Sequence, residues 1–126
     1  MAVSPSYVYV GAVPAGLWAI PVGGDSSLAM QLPDSVAEHF PFWMDAVEDE
    51  LALSLYTSDE RTELLYFENT TAAGPAVSLL SRDGLFVGTL ITQDALIVAD
   101  NTRGTVERVP KDGSTPSVLV PLAGAW

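Results

Sequence analysis

Residues 95–113 read ALIVADNTRGTVERVPKDG. The run Ala95-Leu96-Ile97-Val98-Ala99 is apolar and rich in β-branched side chains, and it stops at Asp100-Asn101. After Gly104, a second run alternates through Val106, Glu107, Arg108 and Val109, then breaks at Pro110 and Asp112-Gly113. These signals predict a strand, a turn, a second strand and an Asp-Gly hairpin. The same order of signals occurs twice upstream. Tyr7-Val8-Tyr9-Val10 ends at Gly11, and residues 51–56 end in a polar turn, so the three leading strands begin about 44 residues apart. Residues 16–21, GLWAIP, reach Gly23-Gly24-Asp25 much as residues 104–110, GTVERVP, reach Asp112-Gly113-Ser114. The middle copy, residues 63–68, keeps the strand pattern but lacks the proline and runs into Asn69-Thr70-Thr71.

A further strand follows each pair, at residues 27–32, 76–80 and 116–120, and another precedes it, at residues 42–47 and 85–91. Four short strands repeated at this period are the signature of β-propeller blades. One small antiparallel sheet cannot bury both faces alone, and stacking on a neighbour supplies the missing core. The expectation is an all-β chain of three four-stranded β-propeller blades, over residues 1–41, 42–84 and 85–126. Closed propellers carry about 4–8 blades, so three are half of a six-bladed propeller completed by dimerisation about a two-fold axis. A fragment, a partner-completed propeller and a different small all-β fold are the alternatives.

The ends bear on that closure. Met1-Ala2-Val3 can be laid over Asp45-Ala46-Val47, and the tail Pro121-Leu122-Ala123-Gly124-Ala125-Trp126 looks like Pro41-Phe42-Trp43-Met44. Joined tail to head, the termini would complete one innermost strand. Met1, Val3, Leu122 and Trp126 are therefore the expected interface residues. Left open, such strand edges invite nonspecific pairing.

Composition limits the function classes. In 126 residues, 48% are hydrophobic, which argues against disorder, and the 9 prolines with 10 glycines suit a turn-rich fold. Sixteen acidic residues against five basic ones give a net charge of -11, which repels phosphate backbones and makes nucleic acid an unfitting partner. Cations, basic protein faces and uncharged ligands fit better, although a surface of this kind also serves plain solubility. No stretch approaches about 18 uncharged apolar residues, so no membrane span is expected. The first ten residues hold no Lys or Arg, so no signal peptide is visible; a processed secreted chain would look the same, and the compartment stays open. With no cysteine there is no disulfide, thiolate metal site or cysteine nucleophile.

The segment Ala99-Asp100, Gly104, Val106 to Val109 and Asp112-Gly113 resembles the blades of six-bladed propellers of the NHL, YWTD and gluconolactonase (SMP-30-like) type. Tyr56, Thr57 and Asp59 of the middle unit resemble the YWTD element, without its tryptophan and with Ser58 intervening. The first unit has no aspartate after Tyr9-Val10-Gly11. In gluconolactonase-like propellers, acidic and asparagine side chains at the channel mouth hold one divalent ion that activates water for lactone hydrolysis. The resemblance implies Asp45, Asp59 and Asp100 as candidate metal ligands, with calcium the kind of ion concerned.

The leading expectation calls for no cofactor: a binding or scaffold module that self-associates into a six-bladed dimer and takes a protein or a small polar ligand. Trp43, Asp45 and Asn101 are its candidate ligand-binding residues, Asp45 from an inner strand facing the channel. The alternatives are a divalent-metal hydrolase of lactones or sugar acids and a structural or engineered half-propeller with no ligand. The competing role for Asp59 and Asp100 is to cap turns by accepting backbone N–H bonds; Asp94 also sits at a strand end. His39, alone between Glu38 and Phe40, reads as a loop residue, and Trp18 as core packing.

Overall fold

The computed structural model describes residues 1–12, 16–23, 30–31, 40–56, 60–70 and 76–121. Among the described residues the regular structure is entirely β. Strands β1 (Ala2–Val3), β2 (Tyr7–Ala12), β3 (Gly16–Pro21) and β4 (Met30–Gln31) form a first sheet in chain order. The middle sheet is β5 (Phe40–Val47), β6 (Glu50–Tyr56), β7 (Arg61–Phe67) and β8 (Val77–Asp83). The third is β9 (Phe86–Ile91), β10 (Ala95–Asp100), β11 (Thr105–Pro110) and β12 (Ser117–Pro121). Every neighbouring pair is antiparallel, as short turns between consecutive strands require.

The sheets stack face to face. β1 and β2 pack on β5, β9 packs on β5 and β6, and β8 touches β11. The opening strands β1, β5 and β9 thus lie side by side. Leu51, Leu53 and Leu55 of β6, with Leu65 and Phe67 of β7, join Ala2, Tyr9 and Ala19 in a core between the first and middle sheets. On the opposite face, Ala52, Leu64 and Tyr66 join Phe86, Ile91, Leu96, Val98 and Val109 in a second core. The middle sheet is buried on both faces, which is why β6 is a near-continuous apolar run rather than a strict alternation. Each fully buried Leu or Phe contributes roughly 1.5–3 kcal/mol.

The ladders correspond from sheet to sheet. β5 carries one bulge residue, Phe42, opposite Leu55 and Ser54; β9 carries one, Val87, opposite Asp100 and Ala99. Matching the bulges sets Ser54 against Ala99 and Leu55 against Asp100. A second pair of bulges, at Leu79 in β8 and Leu119 in β12, sets Leu64 against Val106. Pro21 lies opposite Tyr7 as Pro110 lies opposite Ala95, which sets Val8 against Leu96, Ile20 against Val109 and Trp18 against Glu107.

From the middle to the third sheet, spacing between equivalent positions is therefore longer than the expected 44 residues in the leading strands and shorter in the following ones; from the first to the middle sheet the deviations are reversed. The overlay of the N-terminus also shifts by one residue. Ala2, opposite Tyr9, matches Asp45, opposite Ala52, and Val3 matches Ala46. Laying Ala2 on Ala46 would put it on the wrong face, because side chains alternate with period two.

A tight junction joins the middle and third sheets at one end. Gly84 has φ +110, its N–H donates to Glu60 O at 3.0 Å, and the Thr62 hydroxyl donates to its carbonyl at 2.6 Å. A Cβ there would lie 2.6 Å from Thr102 Oγ1, the atom that accepts a hydrogen bond from Leu85 N at 3.0 Å. Gly84→Ala is expected to cost more than about 2 kcal/mol, from the strained backbone and the displaced Thr102. Urea denaturation of the two proteins measures it, and a loss under about 0.5 kcal/mol would show that the junction yields.

Candidate functional site

Five basic side chains serve sixteen acidic ones, and all five are ion-paired. Arg61 binds Asp83, Arg103 lies near Asp100, Arg108 binds Asp94, Lys111 binds Glu50, and Arg82 serves both Asp100 and Glu107. Three of these pairs are exposed at one or both partners and contribute little. The Arg82 group differs because it lies in the seam between the middle and third sheets.

Arg82 leaves β8 opposite Thr62 and crosses to the third sheet. Its Nε is 3.2 Å from Asp100 Oδ2, and its Nη2 donates to Glu107 Oε2. The side chains of Arg82, Asp100 and Glu107 are 12%, 0% and 6% exposed. Its guanidinium also sits 5.2 Å from the centroid of the Phe86 ring. Asp100 ends β10 and caps the following turn, Oδ1 accepting from Thr102 N and Arg103 N at 3.0 Å each. Glu107 Oε2 also accepts from the Thr105 hydroxyl at 2.8 Å. Desolvation pushes the Glu107 carboxyl up, but the hydrogen bonds from Arg82 and Thr105 and the Arg82 charge outweigh it and hold the group below its ordinary range.

Two open clefts flank this seam. One, of about 430 Å³, is lined by Glu50, Tyr66, Glu68, Gln93, Lys111 and Asp112. Lys111 Nζ donates to Glu50 Oε1 and to Gln93 O and lies 5.4 Å from the Tyr66 ring centroid, while the Tyr66 hydroxyl donates to the same Glu50 oxygen. Burial, then the Glu50 hydrogen bond and charge, push the Tyr66 phenol up, so it stays a neutral donor. The other cleft, of about 510 Å³, is lined by Tyr56, Glu60, Asp83, Gly84, Leu85 and Thr102. Sequence reading did not single out Arg82, Glu50, Tyr66 or Lys111. The scarcity of cations was the available signal, since each one in so acidic a chain has a choice of partners.

The described residues among those expected from sequence do not converge. Asp45 Oδ2 accepts from Ile91 N at 2.8 Å, pinning β5 to β9. Ile91 pairs with Leu96, and Asp100 is four residues further along β10, about 13 Å of strand. Asp45 and Asp100 therefore do not share one ion, and Asp100 faces a guanidinium. Among the described residues no group of three or more His, Cys, Asp or Glu side chains is placed to hold a metal. Asp59, Leu122, Trp126 and His39 lie outside the described residues.

Trp43, on β5 opposite Ser54, is 43% exposed. Asn101 is exposed in the β10–β11 turn, its N–H bonded to Leu85 O at 2.9 Å. Met1 and Val3 are exposed. Trp18 departs from the expected core role: it is half-buried on the sheet face opposite Ala19, because the core face of β3 is the one Ala19 occupies.

No protein-family model matches the chain, and no curated protein matches it. Among the described residues no helix is long and apolar enough to cross a membrane.

Proposed function

We propose that this chain is a binding or scaffold module of the β-propeller kind, of the NHL, YWTD and gluconolactonase-like type, in which two copies arranged head to tail make a six-bladed ring. The observation that carries this reading is the stacking of three four-stranded sheets with their opening strands β1, β5 and β9 side by side. In a propeller those strands line the axis and the sheets radiate from it. A scaffold role fits the carboxylates too. Asp45 and Asp100 hold backbone N–H groups, and Asp100 with Glu107 holds Arg82, so these groups join one sheet to the next. A ligand of a protein or small polar kind would meet the exposed Trp43 or the turn that carries Asn101.

Native mass spectrometry or sedimentation at micromolar concentration tests the reading. A species of twice the chain mass is expected. A folded monomer at every concentration would remove the six-bladed ring.

A further inference from the structure

The two outer sheets each turn one face away from the middle sheet, and the faces differ. On the first sheet it carries Val3, Val8, Val10, Trp18 and Ile20, since Ala2, Tyr9 and Ala19 occupy the core side. Val8 and Ile20 correspond in register to Leu96 and Val109, and Val10 to Val98; those three are fully buried against the middle sheet. The outer face of the first sheet is thus the counterpart of a surface that the third sheet keeps covered.

The outer face of the third sheet carries Leu90, Ile97, Ala99, Val106 and Val120, opposite in sense to the core residues Ile91, Leu96 and Val98. Leu90 is 54% exposed and Val120 45%. β10 reads ALIVA without alternation, the pattern of a strand covered on both sides.

From this, and resting on the head-to-tail reading above, we infer that the outer face of the third sheet docks on the outer face of the first sheet of a second copy. The contact repeats the packing of the middle sheet on the third. The occupant follows from continuity with that internal seam, because each outer face is the register counterpart of one of its sides.

The new seam differs from the internal one in chemistry. Where Asp45 of the middle sheet accepts the N–H of Ile91, the corresponding residues are Leu90 and Val3. Where Glu107 receives Arg82, the first sheet has Trp18, and where Lys111 reaches Glu50, the positions correspond to Val22 and Ala95. Arg108, opposite Ile97 on the outer face of the third sheet, is already bound to Asp94 at 2.8 Å. Among the described residues the docked faces have no ion pair between them to lose to salt, while two bodies of charge -11 repel each other. Salt therefore strengthens this association.

The test uses Leu90→Lys and Val3→Asp, both at exposed positions where folding tolerates a charge. Far-ultraviolet circular dichroism checks the fold of each, and sedimentation velocity reads the assembly. Wild type is expected to dimerise about tenfold or more tightly in about 1 M than in about 50 mM NaCl. Each variant alone is expected to lose dimer at low salt, having a charge in both of its seams. The equimolar mixture is expected to regain it, with one wild-type seam and one Lys–Asp seam. Loss in only one variant would mean that a face pairs with itself and would overturn the inference, as would dimers of both variants as tight as wild type. Weakening of the wild-type dimer by salt would overturn it too. A wild type that stays monomeric at every salt concentration overturns the head-to-tail reading itself, which separates the two failures.

Discussion

Arg82→Ala is expected to destabilise the fold by about 3–5 kcal/mol at neutral pH. Removing the guanidinium leaves two carboxylates in the seam, one fully buried and one nearly so, without their shared counter-charge, and only Asp100 keeps a cation, the exposed Arg103 at 3.9 Å. The pH dependence has a defined sign. Glu107 titrates below its ordinary value in the folded chain, so its contribution is present above the unfolded value of about 4.3 and is lost as pH falls through the depressed one. The variant lacks that contribution. The gap between the two proteins should therefore be widest above about pH 5 and narrow as the pH falls below about 4, where a protonated Glu107 no longer needs a cation. Urea denaturation at several pH values measures it. A gap of under about 1 kcal/mol, or one that widens on acidification, would show that Arg82 does not hold the seam.

Phe86→Ala is expected to cost about 3–5 kcal/mol. The ring is fully buried among Ala52, Leu64, Leu96 and Val98 from two different sheets, so its removal opens a cavity that neither sheet can close without leaving the other. Because Arg82 lies over the same ring, the two substitutions share a contact and should not add. In a double-mutant cycle, the combined loss should fall short of the sum by about 0.5–2 kcal/mol. Strict additivity would show that the guanidinium and the ring do not interact. A single loss under about 1 kcal/mol for Phe86→Ala would show that the seam is loosely packed.

The strands were legible because their signals are local. Tyr7 to Val10, Leu51 to Tyr56 and Ala95 to Asp100 announce themselves by composition and by the Gly, Asp and Pro residues that follow, and each falls in a strand of the structure. The spacing between equivalent positions was less legible. The bulge residues Phe42, Val87, Leu79 and Leu119 look like ordinary strand residues, and a bulge shows itself only against its partner strand.

The seam was not legible for a related reason. Arg82 finds Glu107 and Asp100 across the gap between two sheets, and nothing in the neighbourhood of residue 82 names either partner. In sequence Asp100 is a candidate ligand because an aspartate at a strand end looks the same whether it faces an ion, a turn or an arginine. Asp45 was placed on an inner strand, yet its bond to the backbone of β9 depends on where that strand packs.

On the proposed head-to-tail docking, in which two different outer faces fit one another, the bulges at Leu79 and Leu119 have a wider meaning. Such a unit is a monomer for polymerisation, and only curvature decides whether the growing chain meets its own beginning or runs on as a fibre. A bulge bends its strand and sharpens the local twist, and here one sits in the outermost strand pair of both the middle and the third sheets. On that proposal, two single inserted residues act on the choice between a finite particle and an open filament, one of them, Leu119, beside Val120 on the docking face itself.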